Sequence, residues 1–181
     1  MILPIYLYGS EVLRQKAAPA DLAEKEKITK LVSDMEETLA KSEGCGLAAP
    51  QVGESVRILI VDGTGMTDVY PYLAGFKRVM INPVVLEESE KKCEYSEGCL
   101  SIPGIYCDVT RPQSITVEYY NGDFEKVTET LDKFACRMVQ HEMSHLDGDL
   151  FVDHVASIRK KIISKKLMNI AKGKVFARYA T

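Results

Sequence analysis

Gln140-His141-Glu142-Met143-Ser144-His145-Leu146-Asp147-Gly148 contains two of the chain's three histidines, and its reading organises the rest of the sequence. A helix advances roughly 100° per residue, so His141 and His145 fall one turn apart on one face, where two imidazoles can grip one cation. Glu142 is rotated to the flank of that pair, close enough to handle the proton of a coordinated water without being a ligand. Phe134, Met138, His141 and His145 follow an i, i+4, i+7, i+11 stripe, which turns both histidines toward packed structure. Buried imidazoles need partners for their nitrogens, and a divalent cation satisfies them better than an apolar core does. The plain alternative is a solvated helix carrying two ordinary histidines. Asp132 is placed to N-cap this helix, and Gly148 stands where a C′ glycine would end it.

The 181 residues, 46% of them apolar, suit one domain over 1–181 with a sizeable core. Met1-Ile-Leu-Pro-Ile-Tyr6 has no basic leader region, and no later stretch is long enough to span a bilayer, so a cytoplasmic protein is expected. The five cysteines, Cys45, Cys93, Cys99, Cys107 and Cys136, are odd in number and irregularly spaced, which argues for free thiols rather than a disulfide framework. The formal charge of −3 hides an asymmetry. From Phe151 onward eight bases face the single acid Asp153, a net +7 that leaves −10 for the rest.

Upstream of the histidines, Leu13 to Pro19 reads as a short helical turn leading into a loop. Ile28, Leu31, Val32, Met35 and Leu39 repeat at helical spacing and predict a core-packing helix over 26–42. Val56–Val61 predicts a strand, followed by a loop with two turns over 62–75. Val79–Glu88 predicts a strand bent at Asn82-Pro83, and Lys92–Glu97 a further strand. Ser114–Tyr120 and Phe124–Leu131, joined at Asn121-Gly122, predict a hairpin with a type I′ turn. Val155, Ile158, Ile162, Ile163, Leu167 and Ile170 mark a last amphipathic helix with its bases on the outer face.

Two small-residue stretches interrupt these elements. In Gly44-Cys-Gly-Leu-Ala-Ala-Pro-Gln51 the glycines allow close backbone approach and Gln51 offers an amide donor; the lysine of a phosphate loop is missing. In Glu97-Gly-Cys-Leu-Ser-Ile-Pro-Gly104, Cys99 is either a small buried hydrophobe or an accessible thiol. A catalytic zinc-type site takes three protein ligands. Position 151, six residues past His145, is Phe, and no Glu follows Glu142. Asp149 and Asp153 lie close in sequence and His154 is a weak candidate, so the third ligand is expected upstream, where Cys99 is best presented.

In order and spacing, Gly44–Gln51, Glu97–Ser101 and Gln140–His145 resemble the three motifs of the peptide deformylase family, and Leu13, Arg14 and Ala17 resemble its amino-terminal segment. Two positions depart from that pattern: Ser144 stands where the family commonly has Asp, and Cys45 where a branched aliphatic is frequent. The resemblance implies an α+β fold, with antiparallel sheets packed around a central metal-binding helix, an N-terminal helix and a C-terminal helix. It implies removal of the formyl group from N-formylmethionyl nascent peptides, with Cys99, His141 and His145 as metal ligands and Glu142 as general base and acid. Gln51 and the Leu100 N–H would meet the oxyanion. One divalent ion per chain is implied, Fe2+ in the cell, with Zn2+, Ni2+ or Co2+ able to replace it. A thiolate ligand on iron implies oxygen-sensitive activity. The methionine pocket is expected around Gly44, Cys45, Gly46, Gly98, Ile105, Tyr106, Phe134 and Met138. The basic last helix implies ribosome contact, and the expected state is a monomer without a membrane partner. Two other readings share the motif: a small zinc peptidase cutting ordinary peptide bonds, and a non-catalytic ribosome-associated metal module.

Overall fold

Ile58-Leu-Ile-Val61 offers no polar face, so a strand made from it must be covered on both sides. In the computed structural model, which describes residues 1–181, this segment forms β2 (Ile58–Asp62) within an antiparallel five-stranded sheet. The sheet runs in the order β1 (Gly46–Ala48), β2, β3 (Lys77–Glu88), β6 (Ser114–Tyr120), β7 (Lys126–Asp132). Alternation along β2 sends Leu59 and Val61 to one face and Ile58 and Ile60 to the other. On the second face they meet Ile28, Val32, Met35 and Leu39 of α1 (Lys25–Ser42). On the first they meet Ala135, Cys136, Met138, Val139 and Leu146 of α2 (Lys133–Leu146). Each fully buried Met, Val or Leu side chain contributes about 1.5–3 kcal/mol, so α2 is fixed by its apolar flank and free to carry polar groups elsewhere.

A separate ribbon, β4 (Lys92–Cys99) with β5 (Ile102–Pro112), supplies the other wall, and α3 (Ser157–Ala171) packs behind β5. The register slips between Glu97 and Cys99, an irregularity of the kind that re-aims side chains beside functional sites. The fold is α+β, with antiparallel sheets around the histidine-bearing helix, as the resemblance implies.

Local corrections have local causes. The sequence pattern predicts no strand over 102–112, where β5 forms; its inward positions, Ile105, Cys107, Val109 and Arg111, alternate as a strand should but include a buried arginine. The 114–132 hairpin forms, yet its loop is not type I′. Asn121 Oδ1 accepts from the Asp123 and Glu125 N–H groups at 3.0 Å each, and the positive φ falls on Phe124 (62°) rather than on Asn121 and Gly122. Asn82 takes φ 52° at the bend of β3 and clasps Ala20, accepting from its N–H at 2.7 Å and donating to its carbonyl at 3.0 Å. Asp132 occupies the N-cap position of α2 without bonding through its side chain; the Tyr72 hydroxyl accepts from Phe134 N–H instead, at 3.2 Å. In α3, Ile163, Leu167 and Ile170 are buried, whereas Ile158 and Ile162 are 73% and 61% exposed. Ile162 lies about 100° around the helix from Ile163, so the stripe divides into a buried face and an exposed flank. Gly148 ends α2 as expected, at φ 75°, and a Cβ there would lie 2.5 Å from the Arg14 carbonyl oxygen.

Candidate active site

Helix and strand repeats bring the site together. Residues i and i+4 on α2 are about 6 Å apart along its axis, and residues i and i+2 on a strand about 6.6 Å apart, so β4 can face α2 pair by pair. His141 meets Glu97, its Nδ1 lying 2.8 Å from Glu97 Oε1. His145 meets Cys99, its Nε2 lying 3.3 Å from Sγ. Ligand atoms of Cys99, His141 and His145 all fall within 4.8 Å of one another. His154, the weak alternative for the third position, pairs with Asp149, and Asp153 is bound to Arg14 at 2.6 Å.

The two imidazoles have opposite surroundings. Glu97 is buried and accepts from Arg111 Nε and Nη2 at 2.8 and 3.0 Å and from Arg137 Nη1 at 2.7 Å, besides its contact with His141. Burial alone would raise its carboxyl, but the hydrogen bonds from His141 and Arg111 outweigh that and hold it well below the usual carboxylate range. An ionised Glu97 makes His141 Nδ1 the donor and turns Nε2 toward the cluster. Burial opposes charge on His141, yet its contacts with Cys99 and Glu97 push it up to about 10. His145 is pushed well below its ordinary value, by burial first and then by the charges of His141 and Arg111. Its buried Nδ1 has no partner.

Glu142 leaves α2 on the flank of the histidines, with Oε1 3.7 Å from His141 Nε2. A Cβ on Gly46 would stand 3.0 Å from its Cγ and Cδ, so the glycine lets β1 lie directly against the carboxylate. Burial raises this carboxyl to about 7; the charge of His141 opposes the rise, Glu97 reinforces it and Arg111 opposes it. Its Oε2 is buried and unpaired, a free acceptor in a site with thiol and imidazole donors. Gln51 lies opposite. Its Oε1 accepts from Ala48 N–H at 2.9 Å, which turns Nε2 toward Ser101 Oγ (3.1 Å) and Cys99 Sγ (3.5 Å). Leu100, next to Cys99, packs over Gly44, where a Cβ would meet its Cδ1 at 2.8 Å, and its carbonyl accepts from the Tyr179 hydroxyl.

The expected pocket residues divide between two walls. Cys45, Phe134 and Met138 belong to the packing between α2 and the sheet, and the Phe134 ring stacks on Tyr70 at 4.7 Å. Ile105 is buried on the ribbon side, and the 67% exposed Tyr106 lies over Gly98, where a Cβ would meet its ring at 2.5 Å. Sequence reasoning missed Glu97, Arg111 and Arg137 as partners of the site, and Ser101 as partner of Gln51. One signal was present: Arg137 is four residues before His141, on the helix flank that turns inward.

The donors fit a borderline divalent ion, since one thiol and two imidazole nitrogens make a mixed N/S set of the catalytic type with a carboxylate beside it. The family model described as polypeptide deformylase matches residues 2–161. A peptide deformylase of Christiangramia forsetii is 41% identical over 186 aligned residues, covering 99% of this chain and 94% of the relative. Among solved structures, peptide deformylase from Thermus thermophilus superposes with a TM-score of 0.85 at 34% identity, over 96% of this chain and 99% of that one. A probable peptide deformylase from a Synechococcus phage is 40% identical with a TM-score of 0.76, over 84% and 99%. With its three motifs gathered at one thiol–imidazole cluster, the chain belongs to the polypeptide deformylase family of hydrolases.

Proposed function

We propose that this protein removes the formyl group from N-formylmethionyl nascent peptides, and that the buried, half-unpaired carboxylate of Glu142 beside the Cys99/His141/His145 cluster is the observation that carries this reading. Cys99 as thiolate and His141 and His145 through Nε2 would hold one divalent ion, Fe2+ in the cell, with Zn2+, Ni2+ or Co2+ able to replace it. Such an ion supplies a Lewis acid and a water acidic enough to lose its proton near neutral pH.

The chain's own groups divide the remaining work. Glu142, with its carboxyl near 7, accepts the proton of the attacking water at its free oxygen and later delivers one to the departing amine nitrogen, so that formate and a free amino terminus leave. Gln51 Nε2, held by Ala48 and Ser101, and the Leu100 N–H would donate to the formyl oxygen as negative charge gathers there. Cys45, Phe134 and Met138 on one wall, and Gly98, Ile105 and Tyr106 on the other, would receive the methionine side chain, with Gly44 and Gly46 allowing the peptide backbone to approach. An unbranched thioether suits such irregular apolar space. No helix is long and apolar enough to cross a membrane. The basic outer face of α3, with Arg159, Lys160, Lys161, Lys165 and Lys166 exposed, would contact ribosomal phosphates in the cytoplasm, the enzyme acting as a monomer.

The test is anaerobic formate release from formyl-Met-Ala-Ser by the Fe2+-loaded protein. Glu142→Ala should lower kcat about 10²–10⁴-fold while keeping the metal. Cys99→Ala should lose the metal itself. Internal cleavage of unformylated peptides with no formate would sink the proposal and favour a peptidase.

A further inference from the structure

Arg137 is among the largest fully buried side chains of the molecule, 2% exposed, and its guanidinium spans three elements. It grows from α2, one turn before His141. Nη1 donates to Glu97 Oε2 at 2.7 Å and to the Val109 carbonyl of β5 at 2.6 Å; Nη2 donates to the Cys93 carbonyl of β4 at 2.9 Å. Its Cζ lies 5.1 Å from the centre of the Tyr95 ring. A planar fork with fixed donor directions can join helix, carboxylate and both ribbon strands at once, which a point charge cannot.

From this we infer that Arg137 is a positioning residue for the metal cluster. It sets the distance between the helix that carries His141 and His145 and the strand that carries Cys99. It also binds Glu97 Oε2 together with Arg111 Nε, while Oε1 takes His141 Nδ1 and Arg111 Nη2. The inference rests on the reading of Cys99, His141 and His145 as metal ligands.

The experiment loads the full-length protein with Co2+ and records the cobalt–thiolate absorption and the retention of Co2+ against a competing chelator. Wild type is compared with Arg137→Met, Arg137→Lys and, as a control, Arg78→Met. Arg78 also pairs with a glutamate, Glu129 at 3.0 Å, partly exposed and away from the cluster. Arg137→Met is expected to hold Co2+ about 10-fold more weakly with a shifted thiolate band. Arg137→Lys should show a smaller loss in the same direction, and it decides the matter alone if the methionine variant does not fold. Arg78→Met should lose thermal stability with spectrum and retention unchanged. Arg137 variants that behave like Arg78→Met, less stable but spectroscopically wild type, would overturn the inference and leave the metal reading standing. A wild-type protein that gives no cobalt–thiolate band would overturn the metal reading and the inference with it.

Discussion

His141 and His145 stand one turn apart on the same helix and turn toward the same cluster, yet what lies behind them differs. Behind His141 is a carboxylate bound by two arginines, which fixes the proton on Nδ1 and the angle of the ring. Behind His145 is packing: the residue is 1% exposed, its Nδ1 has no partner, and only the contact with Cys99 holds its other nitrogen. One imidazole is oriented by charge and the other by shape. Two ligands of one ion need not be positioned by the same physics, and substitutions behind them should fail in different ways.

The largest effect is expected from Glu97→Gln. An amide has the same outline but must aim an NH2 group at a donor already present, an arginine N–H or the His141 Nδ1–H, and it leaves two buried cations without their counter-charge. The variant should lose about 3–5 kcal/mol in denaturant unfolding and retain metal about 10- to 100-fold less well. Metal retention equal to wild type would break the comparison, because both rings would then be held by packing alone.

A second substitution sharpens it. Arg111 and Arg137 carry two positive charges against the one of Glu97, and Arg111 Nη1 donates to Ser144 Oγ at 2.9 Å, where the family commonly has aspartate. Ser144→Asp would complete the charge balance through a charge-assisted bond. Although the Ser144 bond to the Gln140 carbonyl, 3.1 Å, is lost, a net gain of about 1 kcal/mol is expected in thermal or denaturant unfolding. A loss of stability would mean that Glu97 already satisfies both arginines.

How far these features could be read from the sequence depended on the distance between partners. Local periodicity gave α1 within a residue at its start, and the His-Glu-x-x-His helix with the glycine that ends it. Strand β5 escaped because Arg111 breaks its apolar alternation, and it is buried only because Glu97 waits across the ribbon. The Asn121-Gly122 pair suggested a two-residue turn, but the Asn121 side chain organised a longer loop and moved the left-handed residue to Phe124. Cys99 could be nominated as a ligand by elimination and by resemblance, whereas Arg137 could not be linked to Glu97, forty residues away, without the fold.

The smallest effect lies on the His145 side. There the turn that follows α2 is clasped by Arg14, whose Nη1 reaches Asp153 at 2.6 Å and Nη2 reaches its other oxygen at 3.2 Å, while Asp153 also accepts from Leu150 N–H at 2.9 Å. Burial would raise the Asp153 carboxyl, but the bonds from Arg14 and from the Leu150 N–H outweigh it and lower it to about 2. A depressed carboxyl stabilises the fold fully above its unfolded value near 3.8, and that contribution disappears as pH falls toward 2. Both side chains are partly in water, so the pair contributes only about 0.5 kcal/mol. Asp153→Asn should therefore be less stable than wild type by about that amount at pH 6, with the gap closing as both are unfolded at progressively lower pH. Metal retention should stay unchanged, because the clasp holds the turn after α2 and touches neither nitrogen of His145. A gap that persisted to pH 2 would assign the effect to the Leu150 hydrogen bond rather than to charge. Loss of metal in this variant would show that His145 depends on electrostatics after all, through Arg14, and would erase the difference between the two histidines.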